Sequence, residues 1–246
     1  PKKRMDFDNK DNYLESAASE GVLSNDDLDK ILTLYGQIDQ PMRTLLELIG
    51  DLSVTLLQRS LDKEYCIFGG YAVLAHLVER FGDQFIPAWR GSHDLDIVGT
   101  KNVLHALESR YKIKASALNH NIRKSSLKVP GYDADEYKID YLVRPISQQE
   151  EITVLGIPLK VMAPLPLIQS KLTAALTQEK HQLDVINLLG VLEHRNIPPH
   201  DIVQKMDPSE RRKLYDIIQD GFDPHNRVSV GPTVTYARDL RSKLLN

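Results

Sequence analysis

The segment RGSHDLDIVGT, Arg90–Thr100, decides how the chain is read. Leu95, Ile97 and Val98 are apolar, and Gly99 and Thr100 close the run, so it reads as a short β-strand. Asp94 and Asp96 interrupt it, although Asp is among the residues least suited to strands. Side chains alternate across a strand. Asp94 and Asp96 therefore share one face, and His93, Leu95 and Ile97 share the opposite, packed one. Two carboxylates roughly 6–7 Å apart along a strand repel each other when buried unless a cation neutralises them. Mg²⁺ meets that need, because it takes oxygen ligands at about 2.0–2.1 Å, often one or two carboxylates plus substrate phosphates. Two such ions about 3.5–4 Å apart hold the attacking and leaving oxygens of phosphoryl or nucleotidyl transfer. An acidic edge strand facing solvent is the alternative reading of D-x-D alone.

Upstream, EYCIFGG (Glu64–Gly70) is a short apolar strand ending in Gly69 and Gly70. YAVLAHLVERFG (Tyr71–Gly82) follows as an amphipathic helix stopped by Gly82. Paired glycines let a backbone approach a ligand closely, and the helix N-terminus offers free N–H groups to phosphate oxygens. A tight strand–helix turn is the alternative. Downstream, KNVLHALESRY (Lys101–Tyr111) reads as a helix and EYKIDYLVRP (Glu136–Pro145) as a strand. Lys138, Asp140 and Leu142 share one of its faces, and Tyr137, Ile139, Tyr141 and Val143 the other. Asp140 is a lone acid in an apolar strand, suited to be a third ligand or a general base for an attacking hydroxyl. The nearby Asp133, Asp135 and Glu136 read as loop residues.

Outward from this core, ITVLGIPLKVMAP (Ile152–Pro164) predicts a hairpin around Gly156, closed by Pro164. Helical spacing covers Leu28, Ile31, Leu32 and Tyr35, then Leu45, Leu46, Ile49, Leu52 and Leu56, with Ser24 or Asn25 as a cap and Pro41 between the two runs. Residues 1–24 are polar and acidic. Helices are predicted again over LPLIQSKLTAALTQEK, HQLDVINLLGVLEHR and PSERRKLYDIIQDGF, and the polar tail from Pro224 has no assigned fold. The fold class is α/β: N-terminal arm and helices over 1–62, a mixed-sheet core over 63–163, and a C-terminal helical region with a tail over 164–246.

Composition narrows the partners. At 246 residues, 41% hydrophobic and 26% charged, the chain has an ordinary globular balance and length enough for a sizeable core. No apolar run approaches the roughly 18 residues that span a bilayer. The opening PKKRMDFDNKDNY lacks an apolar h-region, so no signal peptide is expected. The single cysteine, Cys66, excludes an internal disulfide and a Cys-based zinc site and reads as an inert core thiol. A reducing, cytoplasmic location is the expectation. The net charge of −3 argues against a dedicated duplex binder. Local patches remain for nucleic acid: Arg123, Lys124 and Lys128; Arg211, Arg212 and Lys213; Arg238, Arg241 and Lys243. Solvated faces are their plainer reading. His76 reads as a packed helix residue, and the histidines show no metal-ligand spacing.

Taken together, FGGYAVLAHL, RGSHDLDIV and KLTAALTQEKHQLDVINLL resemble the nucleotidyltransferase superfamily. Within it they are most similar to the AbiEii/MenT-type toxin nucleotidyltransferases of bacterial and archaeal toxin–antitoxin and abortive-infection systems. The resemblance spans roughly Tyr65 to Leu189. Gly69 and Gly70 match the family's turn, Arg90, Ser92, Asp94 and Asp96 match its Arg, Ser and D-x-D, and Lys171 and Asp184 match the Lys and first Asp of its Lys-led helix. ERFGDQFIPAW lengthens the gap between glycines and aspartates. The usual Arg after the Lys is replaced by the neighbourhood of Gln178 and Lys180, and Asn187 stands for a second Asp.

The resemblance implies an NTP-using enzyme with catalytic Asp94, Asp96 and Asp140. It implies two Mg²⁺ ions during catalysis, held by Asp94 and Asp96, and a nucleotide held by Gly69, Gly70, Arg90, Ser92, Lys171, Lys180 and Asp184. It further implies a tRNA 3′ end as acceptor and a cognate antitoxin protein as partner, with no membrane. Lys171 suits a point-charge contact to triphosphate, and Arg90 either a bidentate phosphate clamp or an ion pair with Asp94 or Asp96. Ser92 alternatively serves only its loop, and Lys180 with Asp184 alternatively forms an i,i+4 ion pair. The same residues would also serve a nucleotidyltransferase that modifies a protein or a small molecule. A non-catalytic module of this fold is the rival from another class, and Gly69, Gly70, Asp94, Asp96 and Asp140 argue against it.

Overall fold

The computed structural model describes residues 23–89, 91–92, 94–118, 121–130, 136–146, 148–221 and 230–246. The expectations for Arg90, His93, Asp133, Asp135 and the arm before residue 23 lie outside the described residues. Two compact units divide between Met162 and Ala163.

In the first unit, α1 (Asn25–Tyr35) begins at Ser24, whose hydroxyl accepts from the Asp27 amide while the Asp27 carboxylate accepts from the Ser24 amide. This reciprocal cap satisfies two donors that a helix start otherwise leaves unpaired. Asp39 caps α2 (Gln40–Gln58), so Pro41 stands in its first turn, where a missing N–H does no harm. The chain then alternates: β1 (Tyr65–Phe68), α3 (Gly69–Phe81), a 3-10 turn over Asp83–Ala88, β2 (Asp94–Gly99) and α4 (Lys101–Tyr111). β3 (Ser116–Leu118), β4 (Asn121–Pro130), β5 (Glu136–Val143), β6 (Gln149–Val154) and β7 (Ile157–Met162) complete it. Among the described residues these strands form one mixed seven-stranded sheet, in the order β3-β4-β5-β2-β1-β7-β6. The α/β expectation is met.

The register positions the site. β2 runs antiparallel to β1, with Phe68 opposite Asp96. It runs parallel to β5, with Asp94 opposite Lys138 and Asp96 opposite Asp140. β4 runs antiparallel to β5 and sets Ser126 opposite Asp140 and Lys128 opposite Lys138. β3 and β4 add an edge that the sequence reading did not assign, because charged and hydroxyl residues obscure the alternation of Leu127 and Val129.

Packing explains why this register holds. Leu95, Ile97, Ile139 and Tyr141 are buried on the face opposite the acids. A slip of one residue would drive Asp94 and Asp96 into that packed layer. Every residue of α3 from Tyr71 to Val78 is buried, as in a helix enclosed on all sides. His76 within it hydrogen-bonds the Met162 carbonyl at 2.8 Å, so Nε2 carries the proton and the ring is structural. The β6–β7 turn places Leu155 and Gly156 at φ 50° and 75°, the geometry of a two-residue type I′ hairpin that favours glycine. A Cβ at Gly156 would also overlap Leu23. Asp51 of α2 accepts from Arg110 at 3.1 and 2.6 Å and from Tyr111 at 3.0 Å, tying α2 to α4. Cys66 is fully buried, and that burial pushes its thiol up to about 12, as an inert core thiol should be.

The second unit comprises α5 (Pro164–Ala175), α6 (Glu179–His194), α7 (Pro199–Gln204), α8 (Pro208–Gly221) and α9 (Val234–Leu244). Leu167, Ile168, Leu172, Val185, Leu188, Leu214 and Leu240 are buried in it. The single helix predicted over 165–180 ends at Ala175, and Glu179 opens the next. The unassigned tail contains α9, capped by Thr233 and amphipathic through Ala237, Leu240 and Leu244. Among the described residues no helix is long and apolar enough to cross a membrane.

Candidate active site

Strand alternation and the β2–β5 register bring three carboxylates to one place. Asp94, Asp96 and Asp140 each offer an oxygen, and these oxygens all lie within 4.8 Å of one another. All three residues are half-buried. Oδ1 of Asp140 is buried and has no hydrogen-bond partner. An uncompensated carboxylate oxygen of this kind is costly unless something cationic or protic meets it. The oxygen-only donor set, its spacing and this orphaned atom fit a hard divalent ion such as Mg²⁺.

The turn before α3 is built against the same cluster. Gly69 has φ 70°, in the left-handed region, and a Cβ there would overlap Oδ2 of Asp96 and stand 3.1 Å from the Asp96 Cβ. Gly70 follows in the first helical turn, and no side chain caps the α3 N-terminus. This helix start, with no side-chain cap, lies beside Asp96, where the partial positive charge of a helix N-terminus favours an anion. Ser92 lies with its Oγ 3.1 Å from Asp94 Oδ1 and 3.2 Å from the Asp94 carbonyl, so its one proton steadies the start of β2.

Two residues at the site escaped the sequence reading. The Lys138 ammonium donates to Asp140 Oδ2 at 2.8 Å, with the lysine side chain 43% exposed and the aspartate 22%. That hydrogen bond, outweighing the effect of burial and joined by the charges of Asp140, Asp94 and Asp96, holds the Lys138 ammonium above its ordinary value. Ser126, opposite Asp140 on β4, has a buried hydroxyl with no partner. A Lys two positions before the lone strand acid was the available signal for the first. The Leu127/Val129 alternation before Pro130 and Gly131 was the signal for the second.

The helix-borne candidates fall in the second unit. Lys171 donates to Asp184 at 2.9 Å, and their side chains are only 6% and 2% exposed. Oδ1 of Asn187, one turn on, is buried without a hydrogen-bond partner. Lys180 is exposed.

No protein-family model and no curated protein sequence matches the chain. Among solved structures it is similar to an antigenic nucleotidyltransferase-like protein from Paracoccidioides brasiliensis, at 15% identity and a TM-score of 0.47, over 75% of this chain and 94% of that one. It is also similar to the antibiotic-resistance factor ANT(2'')-Ia, at 12% identity and a TM-score of 0.40, over 81% of this chain and 90% of that one. Likeness at this level leaves the chemistry to be read from the side chains themselves.

Two substitutions test the geometry. Gly69→Ala forces a left-handed alanine, at about 1–2 kcal/mol of stability, and turns the Asp96 carboxylate out of the cluster. A thermal melt should fall modestly while Mn²⁺ binding, followed by titration, is lost. Lys171→Ala leaves Asp184 buried without its cation and should destabilise the protein by about 3–5 kcal/mol. Unchanged denaturation, with a rise only in the KM for NTP, would instead assign Lys171 to the triphosphate.

Proposed function

We propose that this chain is a metal-dependent nucleotidyltransferase that moves a nucleotidyl group from an NTP to a hydroxyl acceptor and releases pyrophosphate. The observation that carries this reading is the Asp94–Asp96–Asp140 cluster with its orphaned Asp140 oxygen. Asp94 and Asp96 would hold Mg²⁺, which when bound supplies charge neutralisation for the reacting phosphate and the leaving pyrophosphate. Asp140 accepts the proton of the attacking hydroxyl through Oδ1. Gly69, Gly70 and the open α3 N-terminus receive phosphate oxygens, and Ser92 fixes the orientation of Asp94. Arg90, Lys171, Lys180 and Asp184 enter as nucleotide-binding residues on the family resemblance alone.

The favoured acceptor is the 3′ end of tRNA, and the favoured role is that of a cytoplasmic toxin restrained by an antitoxin. The resemblance of the glycine turn, D-x-D strand and Lys-led helix supports both. A polyanionic acceptor also suits the sheet, because Lys124 and Lys128 are exposed and flank Ser126 on the carboxylate face of β4. The other two basic clusters lie in the second unit. Arg211 donates to the Val203 and Met206 carbonyls, Arg212 pairs with Asp216, Lys213 donates to Thr173 and Lys243 pairs with Asp239.

Incubation with each labelled NTP, Mg²⁺ and total RNA tests the reaction. Asp94→Ala and Asp96→Ala should each lose at least about 10²-fold in transfer, given the several kcal/mol that a bound metal supplies. Their melting temperatures should hold or rise, because each removes one of several like charges. Melts that collapse with activity would make the aspartates structural.

The acceptor is tested by salt. Replacing both Lys124 and Lys128 with Ala should weaken tRNA labelling and reduce its log–log salt slope by roughly 1–2, at about 0.7–0.9 per lost phosphate contact. A protein or small-molecule acceptor would show little salt slope. If tRNA stays unlabelled with every NTP at low salt, the tRNA assignment is wrong even where another acceptor is modified.

A further inference from the structure

Lys138 has no task in the reaction proposed above, yet it occupies the centre of the site's electrostatics. It stands directly opposite Asp94 across the parallel β2–β5 pair and shares the face of Asp94, Asp96 and Asp140. Its ammonium reaches Asp140 at 2.8 Å. Three carboxylates at this spacing require a counter-charge, and Lys138 supplies one from within the chain. A divalent ion held by Asp94 and Asp96 would stand in the field of this ammonium, where like charges oppose each other. The lysine stem is flexible and its side chain 43% exposed, so the ammonium has solvent to move into.

We infer that Lys138 is a tethered counter-cation, which balances the three carboxylates while no metal is bound and opposes the binding of a free divalent ion. The inference rests on the proposed metal site at Asp94 and Asp96, with Asp140 beside it. It assigns Lys138 a function in setting how readily the site loads, separate from binding nucleotide or moving a proton. Lysine and metal are two ligands of one cluster, and removing the first must strengthen the second by the coupling between them. The alternative role, in which Lys138 holds Asp140 in the orientation that a metal needs, predicts the opposite sign.

The test is a Mn²⁺ titration of the full chain without nucleotide, following the paramagnetic signal of free Mn²⁺. It compares wild type with Lys138→Met, Lys138→Gln and Lys138→Arg, and with Asp96→Asn as the site control. Circular dichroism melts establish which variants are folded. The Met and Gln variants should bind Mn²⁺ roughly tenfold more tightly or better, within the usual 5- to 150-fold range of such couplings. Their melting temperatures should be lower without metal and rise further on adding Mn²⁺ than that of wild type. Lys138→Arg, which keeps the charge, should retain wild-type affinity. Equal or weaker Mn²⁺ binding in the folded Met or Gln variant overturns the inference while leaving the metal site intact. An Arg variant that binds as tightly as Met also overturns it, because charge would then not be the cause. Mn²⁺ binding that is absent from every variant, or that survives Asp96→Asn unchanged, removes the metal-site reading and this inference with it.

Discussion

Asp94, Asp96 and Asp140 stand on adjacent strands with oxygens inside 4.8 Å, and the features around them answer the repulsion this creates. At an effective dielectric of about 20, a pair of unit charges at about 4 Å interacts by roughly 4 kcal/mol. Three such acids therefore put a heavy strain on a protein whose stability is of order 5–15 kcal/mol. Half-burial keeps them in contact with water. Lys138 contributes a positive charge, the Ser92 hydroxyl lies against Asp94, and the uncapped start of α3 adds a partial positive charge beside Asp96. The arrangement remains incomplete at Asp140 Oδ1, which is buried without a hydrogen-bond partner.

The opposite side of the same strands makes the crowding tolerable. Leu95, Ile97, Ile139 and Tyr141 are sealed in the core, and Tyr65 of β1 reaches Ser53 of α2 at 3.2 Å. The Tyr141 hydroxyl donates to the Thr100 carbonyl at 2.7 Å and occupies the space beside Gly99, where a Cβ would overlap it. These contacts fix β2 against β5 in one register, so the acids cannot relax apart by sliding. Strain at the site is thus borne by packing a few ångströms beneath it.

Much of this was legible in the chain. Period-two alternation identified β2 and β5 and sorted Asp94, Asp96 and Asp140 onto the correct faces, because each strand has one apolar face that leaves no freedom. The Gly69–Gly70 turn, the Gly156 hairpin and the core role of His76 were legible for the same local reasons. What eluded reading depends on partners distant in sequence. Lys138 is an ordinary strand lysine until β5 is set beside β2. Spacing along one helix pairs Asp184 with Lys180, whereas the structure supplies it a buried partner, Lys171, from the preceding helix. β4 was obscured because Ser125 and Ser126 are buried where the eye expects apolar residues.

The contact between Gly69 and Asp96 has a consequence for descent. Gly69 lacks a side chain because an aspartate carboxylate fills the space where one would be. In a descendant that had lost Asp96 to a smaller residue, the volume beside position 69 would open, leaving only the left-handed backbone to favour glycine. Asn tolerates that backbone, and its side chain would then have room. The residue found at position 69 in any related chain thus serves as a record of whether its neighbour on β2 still bears a carboxylate, and the two positions would be expected to vary together.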